Sequence, residues 1–187
     1  KKPIGITIIQ ASAIRQSKMK SKIIIMCGLF AALTAVLSQL AIPIGPVPIN
    51  LALFAVLLSA GLLGAKYGAL SQVVYLLMGA IGLPVFSGMK GGLGVLAGPT
   101  GGYLVGYVLC ALTAGFLMKK HGSLITGLAM AAGIGVCYIF GTLWFFLLTG
   151  CTVWSALTTC VLPFLPGDVV KILLAVWMVR LRRKFSV

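Results

Sequence analysis

Six apolar stretches, each close to the length needed to cross a lipid bilayer, constrain this chain more than any other feature of its sequence. They occupy residues 23–42, 49–65, 67–83, 95–118, 124–148 and 159–179. A hydrocarbon core about 30 Å thick needs roughly 20 predominantly apolar residues in a helix. Backbone polar groups inside lipid must be satisfied within the protein, which favours helices for all six stretches. The sequence therefore predicts an all-α integral membrane protein, a bundle of six transmembrane helices.

Composition agrees with a membrane bundle and argues against a soluble domain. Hydrophobic residues make up 60% of the 187 residues and charged residues 9%, which is typical of a polytopic membrane protein. The net charge of +14 would suit a nucleic-acid-binding protein. However, the basic residues cluster between the apolar stretches without interleaved aromatic residues, so they are better interpreted as topology signals and contacts with anionic lipids.

The distribution of positive charge predicts the orientation and the domain boundaries. Thirteen of the fifteen Lys and Arg residues fall in the N-terminal segment, at Lys66, at Lys119 and Lys120, and in the C-terminal tail. Under the positive-inside rule, six spans then place both termini in the cytoplasm. We expect a basic cytoplasmic extension over residues 1–22 and a membrane domain over residues 23–187. Met19 heads a short basic phrase, so residues 1–18 are either native or an added upstream extension, and both readings stay open.

One acidic side chain stands apart inside the last apolar stretch. Asp168 is the only Asp or Glu in the chain, and Lys171 follows three residues later, so the two share one face of a helix. Lys171 lies nine residues before Arg180, about 13 Å along a helix, and Asp168 lies about 18 Å away, so both fall at membrane depth. Ionisable groups there usually face a partner or a cavity. Two interpretations stay open: a ligand site, or a structural pair that neutralises itself for insertion.

Two segments rich in Gly and Pro are the other unusual feature of the apolar regions. They are residues 82–94 and the phrase Gly98-Pro99-Thr100-Gly101-Gly102-Tyr103. Backbone groups that such residues leave free of helical hydrogen bonds are tolerated at membrane depth only beside protein or a cavity. The segments therefore either border a cavity or mark a helix start with close packing. A third segment, the proline-rich residues 43–48, is predicted to fold over the bundle as a fixed lid.

The chemistry that is absent narrows the function. One Asp and one His cannot provide a carboxylate pair, a metal shell or a Ser–His–Asp triad in one place, because His121 is predicted at the opposite membrane face from Asp168. No segment fits the ATP-binding pattern Gly-x4-Gly-Lys-Ser/Thr. We therefore expect no enzyme activity, no cofactor and no metal. A pocket of a few polar groups within an apolar shell is the remaining possibility.

Three blocks of sequence resemble a known family. They are residues 75–86, residues 91–104 and the motif Pro163-Phe164-x-Pro166-Gly167-Asp168-x-x-Lys171. In order and spacing they are similar to the BioY family, the biotin-specific substrate-binding (S) components of energy-coupling-factor (ECF) transporters. The resemblance covers about residues 20–180 and leaves residues 1–18 outside.

This resemblance implies a function and a set of site residues. It implies a six-helix bundle of the ECF S-component type in the bacterial cell membrane that binds biotin with high affinity. It also implies that the bundle delivers biotin inward together with a membrane coupling (T) component and two cytoplasmic ATPases, which alone use ATP. Residues that match the family's ligand-contacting motifs, or lie in the two Gly- and Pro-rich segments, are the predicted ligand contacts: Asp168, Lys171, Tyr103, Thr100, Gly101, Gly88, Lys90 and Ser87. An alanine-x3-alanine motif on the first helix, Ala31 and Ala35, matches the family's docking surface.

Two further functions remain possible from the sequence. The same fold could bind another vitamin-like molecule, or the chain could be a structural membrane protein whose small residues only pack helices. The sequence leaves open which end of the ligand meets Asp168 and which meets Lys171.

Overall fold

The structure, a computed structural model, describes residues 4–42, 47–118 and 122–185, with side chains from residue 21 to residue 182 within those ranges. Seven helices and one two-stranded hairpin make up the described part of the chain. In order they are α1 (Ile4–Gln39), β1 (Ala41–Ile42), β2 (Ile49–Asn50), α2 (Ala52–Ala80), α3 (Leu93–Ala97), α4 (Gly101–Leu117), α5 (Ser123–Thr149), α6 (Val153–Cys160) and α7 (Leu165–Phe185).

The first helix is longer than its apolar stretch. α1 begins at Ile4, although the sequence predicted a span only from residue 23. After α1, β1 and β2 pair antiparallel, with Ala41 opposite Asn50 and Ile42 opposite Ile49. Residues 43–46 of the predicted lid lie outside the described residues, as do Lys119, Lys120 and His121. Of the remaining lid residues, Val47 is buried.

α2 is a helical hairpin and not one straight rod. Its backbone leaves helical geometry at Gly64, where φ is 80° and ψ is 176°, a conformation that glycine adopts without a steric penalty. The Gln72 side chain, 13 residues beyond Ser59, donates a hydrogen bond to the Ser59 hydroxyl at 3.2 Å. In a straight helix those residues would be about 20 Å apart. The two halves of α2 therefore run back along each other, which agrees with the two separate apolar stretches at residues 49–65 and 67–83.

Four buried polar side chains fasten this hairpin to α1, and we call them the closed cluster: Thr34, Ser59, Ser71 and Gln72. The Gln72 amide donates to Ser59 at 3.2 Å and to Ser71 at 3.1 Å, and its carbonyl oxygen accepts from Thr34 at 3.3 Å. All four residues are 0% exposed. Hydrogen bonds between helices in an apolar bundle each contribute on the order of 0.6 kcal/mol, so the cluster fixes the relative position of three helical segments.

Small residues allow α4 and α5 to approach closely. A side chain at Gly106 would collide with Cys137, and one at Gly133 would collide with the Cys110 carbonyl oxygen. Gly102 packs in the same way against Trp144. Close backbone approach through small residues is the usual way in which helices pack inside membranes.

The last apolar stretch is divided into two helices. The sequence predicted one run over residues 159–179, whereas α6 ends at Cys160 and α7 begins at Leu165, with an angle of 49° between them. Pro163 has no N–H for a continuing helix, and Pro166 fits the first turn of a new helix because its missing donor is not needed there. As a result, Asp168 lies in the first turn of α7.

The contacts define two ends of the bundle. At one end, which we call the basic end, the Cys27 thiol meets the Tyr67 carbonyl oxygen at 3.5 Å, and the Arg182 guanidinium donates to the Leu62 carbonyl oxygen. At the other end, which we call the loop end, Ser38 donates to the Val85 carbonyl oxygen at 2.6 Å and Trp144 to that of Gly98 at 3.0 Å. The turn of α2 and the end of α7 thus share the basic end, opposite the Gly- and Pro-rich segments.

Length and apolarity alone qualify fewer spans than the sequence predicted. In the described part of the chain, residues 21–39 of α1, α2 and α5 are long and apolar enough to cross a membrane, and α6 with α7 make a fourth if they form one bent span. α4 is an apolar helix of 17 residues, slightly short of the usual length.

Candidate ligand-binding site

The site is centred on an ion pair at the start of α7. The Lys171 ammonium lies 2.8 Å from the Asp168 Oδ1 atom. Asp168 is 3% exposed and Lys171 is 5% exposed. Their spacing of three residues on one helix brings them together, and burial among apolar helices makes the pair electrostatically strong but expensive to desolvate.

A tyrosine from α5 completes this arrangement. The Tyr138 hydroxyl donates a hydrogen bond to the second carboxylate oxygen of Asp168, Oδ2. Both carboxylate oxygens therefore have a donor within the protein, and each retains a further lone pair because a carboxylate accepts about four hydrogen bonds. The sequence did not predict Tyr138, since a tyrosine in a long apolar stretch carries no signal of its own.

A cavity opens directly against this group. The volume of the cavity that the centre of a water molecule can reach is about 110 Å³. Several waters, and hence a small organic molecule, fit in this volume. The cavity wall is formed by residues of the β hairpin, of α2, α4, α5, α6 and α7, and of the segment between α2 and α4. The lining residues with polar side-chain atoms are Asn50, Tyr75, Ser87, Lys90, Thr100, Tyr103, Tyr107, Cys137, Tyr138, Cys160, Asp168 and Lys171.

Aromatic rings form much of the cavity wall. Tyr75 meets Phe86 edge to face with ring centroids 5.5 Å apart, and it stacks on Tyr107 at 6.5 Å. The Tyr103 hydroxyl lies 2.8 Å from that of Thr142, and the Tyr107 hydroxyl donates to Asn50 at 3.5 Å. Such pairs stiffen a wall that is apolar over most of its area, so the cavity suits a molecule with an apolar body and a few polar groups.

The loop between α2 and α3 supplies further polar groups to the cavity wall. Phe86 and Lys90 exchange two backbone hydrogen bonds, at 2.9 and 3.2 Å, and so close a tight turn. The Ser87 hydroxyl is the one buried side-chain polar atom of the described residues without a hydrogen-bond partner. Lys90 is exposed at the cavity rim, and its ammonium has no ion-pair partner among the described residues. The cavity thus contains an unsatisfied hydroxyl and an unpaired cation.

The structure gathers six of the eight predicted ligand contacts around the cavity: Asp168, Lys171, Tyr103, Thr100, Lys90 and Ser87. Gly88 and Gly101 do not line it. Gly88 adopts a φ of 74° and shapes the turn. Gly101 begins α4, and a side chain there would come within 1.7 Å of the Leu96 carbonyl oxygen. The reading of residues 98–103 as a helix start with close packing therefore applies to Gly101, while Thr100 and Tyr103 border the cavity.

Lining residues that the sequence did not predict come mainly from segments far apart in the chain. Asn50 lies at the end of β2, and Tyr75 and Tyr107 lie inside long helices. An amide directly after a proline-rich segment could have drawn attention to Asn50. No sequence signal distinguishes these tyrosines from aromatic residues of the core, because only the tertiary packing places them at the cavity.

The predicted docking residues of α1 do not form an exposed surface here. Ala31 is 0% exposed in the core, and Ala35 is partly buried against it. The neighbouring positions Ala32 and Val36 face outward instead. The docking role that the family resemblance implies for Ala31 stays a prediction, and within this chain the residue is buried. The physical reason is that α1 uses this side to pack against the bundle.

Comparison with known proteins gives the family. A model of the BioY family matches residues 12–186. The chain belongs to the BioY family. The match begins at residue 12, inside the segment that the resemblance was not expected to cover.

Among the described residues, no group of three or more His, Cys, Asp or Glu side chains is placed to hold a metal ion.

Relatives with names and a solved structure agree with this family. A biotin transporter BioY from Thermotoga maritima is 43% identical over 164 residues, covering 86% of this chain and 95% of that protein. A probable biotin transporter BioY from Pyrococcus horikoshii is 39% identical over 158 residues, covering 84% and 94%. A crystal structure of the S-component for biotin from an ECF-type ABC transporter superposes with a TM-score of 0.83 at 32% identity, covering 89% of this chain and 93% of that one.

Proposed function

We propose that this protein is the high-affinity biotin-binding subunit of a vitamin uptake transporter in the cell membrane. One observation carries the proposal: a buried acid–base pair borders a small cavity inside an otherwise apolar helical bundle. As a member of a transporter family, the chain is a multi-pass membrane protein and not an enzyme. The names of its relatives support biotin as the ligand.

The ion pair fits the ureido ring of biotin. That ring offers two N–H donors and one carbonyl acceptor. Asp168 has free lone pairs for N–H donors, and the Lys171 ammonium has donors left after its bond to Asp168. The pair is neutral overall, and so is the ureido group. Charge-assisted hydrogen bonds to a neutral group would therefore form without leaving a net buried charge.

Charge balance places the carboxylate of biotin elsewhere. Lys171 is already neutralised by Asp168, so an incoming carboxylate there would add an uncompensated negative charge in the membrane interior. Lys90 is the cation of the cavity wall without an ion-pair partner in the described part of the chain. In that part the Ser87 hydroxyl also has no hydrogen-bond partner. We place the carboxylate at these two residues and the apolar ring and tail along the aromatic wall between them.

Six spans with cytoplasmic termini remain part of the proposal. The hairpin of α2 supports it, because the break at Gly64 divides one helical element into two antiparallel segments. With α1, α4, α5 and the bent α6–α7 unit, these segments make six crossings. Lys66 and Arg182 lie at the basic end, which would face the cytoplasm under the positive-inside rule. The cavity would then lie toward the outer surface.

The chain itself has no Gly-x4-Gly-Lys-Ser/Thr motif with which to bind ATP. We propose that a membrane coupling (T) component and two cytoplasmic ATPases drive inward delivery, as in ECF-type transporters. Of the two alanines predicted to dock, only Ala35 retains partial exposure. The outward side of α1 around Ala32 and Val36 is the more accessible surface for such contacts.

Titration calorimetry on the purified full chain in detergent tests this function directly. Biotin should bind saturably and raise the midpoint of thermal unfolding, since a ligand that binds only the folded state stabilises it. A panel of other vitamins should leave that midpoint unchanged. Stabilisation by another vitamin alone would assign the fold to a different ligand. Absence of saturable binding by every compound would favour a structural role.

A further inference from the structure

The end of α1 holds the loop that carries Ser87 and Lys90. Ser38 donates to the Val85 carbonyl oxygen at 2.6 Å. The Gln39 amide donates to the Phe86 carbonyl oxygen at 3.1 Å, and its carbonyl oxygen accepts from the Met89 backbone N–H at 2.9 Å. We call Ser38 and Gln39 the α1 clasp. These two side chains bind three backbone groups on both arms of one turn.

The turn needs an external support of this kind. Gly88 and Met89 both have positive φ, 74° and 57°, and a methionine in the left-handed region is unfavourable without compensation. The only bonds across the turn itself are the two between Phe86 and Lys90. Gln39 bonds the Met89 N–H from outside the turn, so it stabilises the one non-glycine residue that is strained.

The clasp does not line the cavity, but the loop that it holds does. Ser38 is 1% exposed, and neither clasp residue is part of the cavity wall, whereas Phe86, Ser87 and Lys90 are. An effect of the clasp on a ligand is therefore indirect. It passes through the backbone that the clasp holds, including the Val85 carbonyl oxygen, which also accepts from the Tyr75 hydroxyl of the cavity wall at 3.3 Å. The ion pair on α7 has no hydrogen bond to the clasp among the described residues.

We infer that Ser38 and Gln39 are positioning residues that set the carboxylate-recognising part of the site and so determine selectivity for a ligand with a negatively charged tail. This inference rests on the proposed function. If the loop that carries Ser87 and Lys90 is already fixed before binding, ordering this loop no longer reduces the free energy of binding. The resulting gain in affinity comes from the charge interaction at Lys90 and not from contacts at Asp168 and Lys171.

The selectivity provides a readout that general loss of stability would not move. Gln39→Met keeps the volume of the side chain but removes its hydrogen bonds. We expect it to weaken binding of biotin about tenfold, while binding of the neutral biotin amide changes less than about twofold. Lys90→Met should show the same pattern. The double variant should lose little beyond Lys90→Met alone, because the two residues act through one contact.

Gln72→Met is the matched control, since it makes the same substitution in the closed cluster, away from the cavity. It should not change the ratio of the two affinities. Equal weakening of biotin and its amide by Gln39→Met, or no weakening of either, would overturn the inference. Ser38→Ala provides a second, smaller perturbation of the same clasp.

A ligand-free measurement separates this inference from the proposed function. Trypsin cleaves after exposed lysines in loops that can open, and Lys90 is the one lysine of the described loop. Faster cleavage after Lys90 in Gln39→Met than in wild type and Gln72→Met supports the clasp whatever the ligand is. Equal cleavage rates would overturn it. Failure of wild type to bind biotin would instead contradict the proposed function.

Discussion

Two polar clusters lie inside this apolar bundle, and they differ in how completely they satisfy themselves. In the closed cluster, Gln72 uses both amide N–H groups and its carbonyl oxygen on neighbours within the cluster. The second cluster, which we call the open cluster, surrounds the cavity and consists of Asp168, Lys171, Tyr138, Ser87 and Lys90. There Ser87 lacks a partner, and the ammonium of Lys90 is unpaired among the described residues.

The difference shows which polar groups in a membrane bundle point to function. Burial alone does not distinguish the clusters, since Gln72 is even less exposed than Asp168. What distinguishes them is remaining hydrogen-bonding capacity beside empty space. A saturated cluster fixes helices, while an unsaturated cluster at a cavity can bind a ligand.

The largest effect on this comparison should come from Asp168→Asn. The substitution removes the only carboxylate and leaves Lys171 buried without its counter-charge, which costs about 3–5 kcal/mol for a buried pair. Affinity for biotin should fall by at least about a hundredfold by titration calorimetry. Thr126→Val, a buried polar substitution near the start of α5 and away from the cavity, should leave affinity unchanged. Unaltered affinity in Asp168→Asn would remove this residue from the site.

A substitution in the closed cluster should lower the stability of the protein and leave its affinity for biotin nearly unchanged. Gln72→Met removes three hydrogen bonds among buried helices, so we expect a loss of about 1–2 kcal/mol in the free energy of unfolding. Affinity for biotin should stay within about twofold of wild type, because the cluster has no lining residue at the cavity. Thermal unfolding and calorimetry on the same preparation measure both quantities. A loss of affinity without a loss of stability would show that the two clusters are not independent.

A substitution of Tyr138 should have a smaller effect on affinity and should show how much its hydroxyl contributes to the open cluster. Tyr138→Phe removes the hydroxyl that orients Asp168 but leaves the ring that packs in the cavity wall. Since a hydrogen bond to a charged group contributes about 1.5–3 kcal/mol and part of it is replaced by ligand contacts, we expect binding of biotin about fivefold weaker. Tyr67→Phe at the basic end is the matched control and should bind as wild type does. Tighter binding in Tyr138→Phe would mean that the hydroxyl competes with the ligand for Asp168.

Much of the architecture follows from the chain by simple rules. The apolar stretches predicted helices, and the boundary between the stretches 49–65 and 67–83 falls beside the break at Gly64 where α2 folds back on itself. The isolated Asp168 and Lys171 predicted either a ligand site or a self-neutralising pair, because charge at membrane depth needs a partner or a cavity. The apolar run over residues 159–179 is not one straight helix, because Pro163 lies in the break between α6 and α7 and Pro166 in the first turn of α7.

Other parts of the site depend on tertiary packing that no local pattern encodes. Tyr138 reaches Asp168 only because α5 packs beside α7, 30 residues away in sequence. Gly101 belongs to a Gly-rich motif that borders the cavity, yet its own space is filled by the Leu96 carbonyl oxygen. Ala31 has the size and spacing of a docking residue, but the packing of α1 places it in the core.

The most direct test of the account removes the ion pair without leaving a charge behind. The double variant Asp168→Asn/Lys171→Met is neutral, and replacing a buried ion pair by uncharged residues is often neutral or stabilising. We predict that its midpoint of thermal unfolding without ligand equals or exceeds that of wild type, and that saturating biotin no longer raises it. An undiminished biotin-induced rise in the double variant would contradict the claim that this pair is kept in the bundle to bind a ligand.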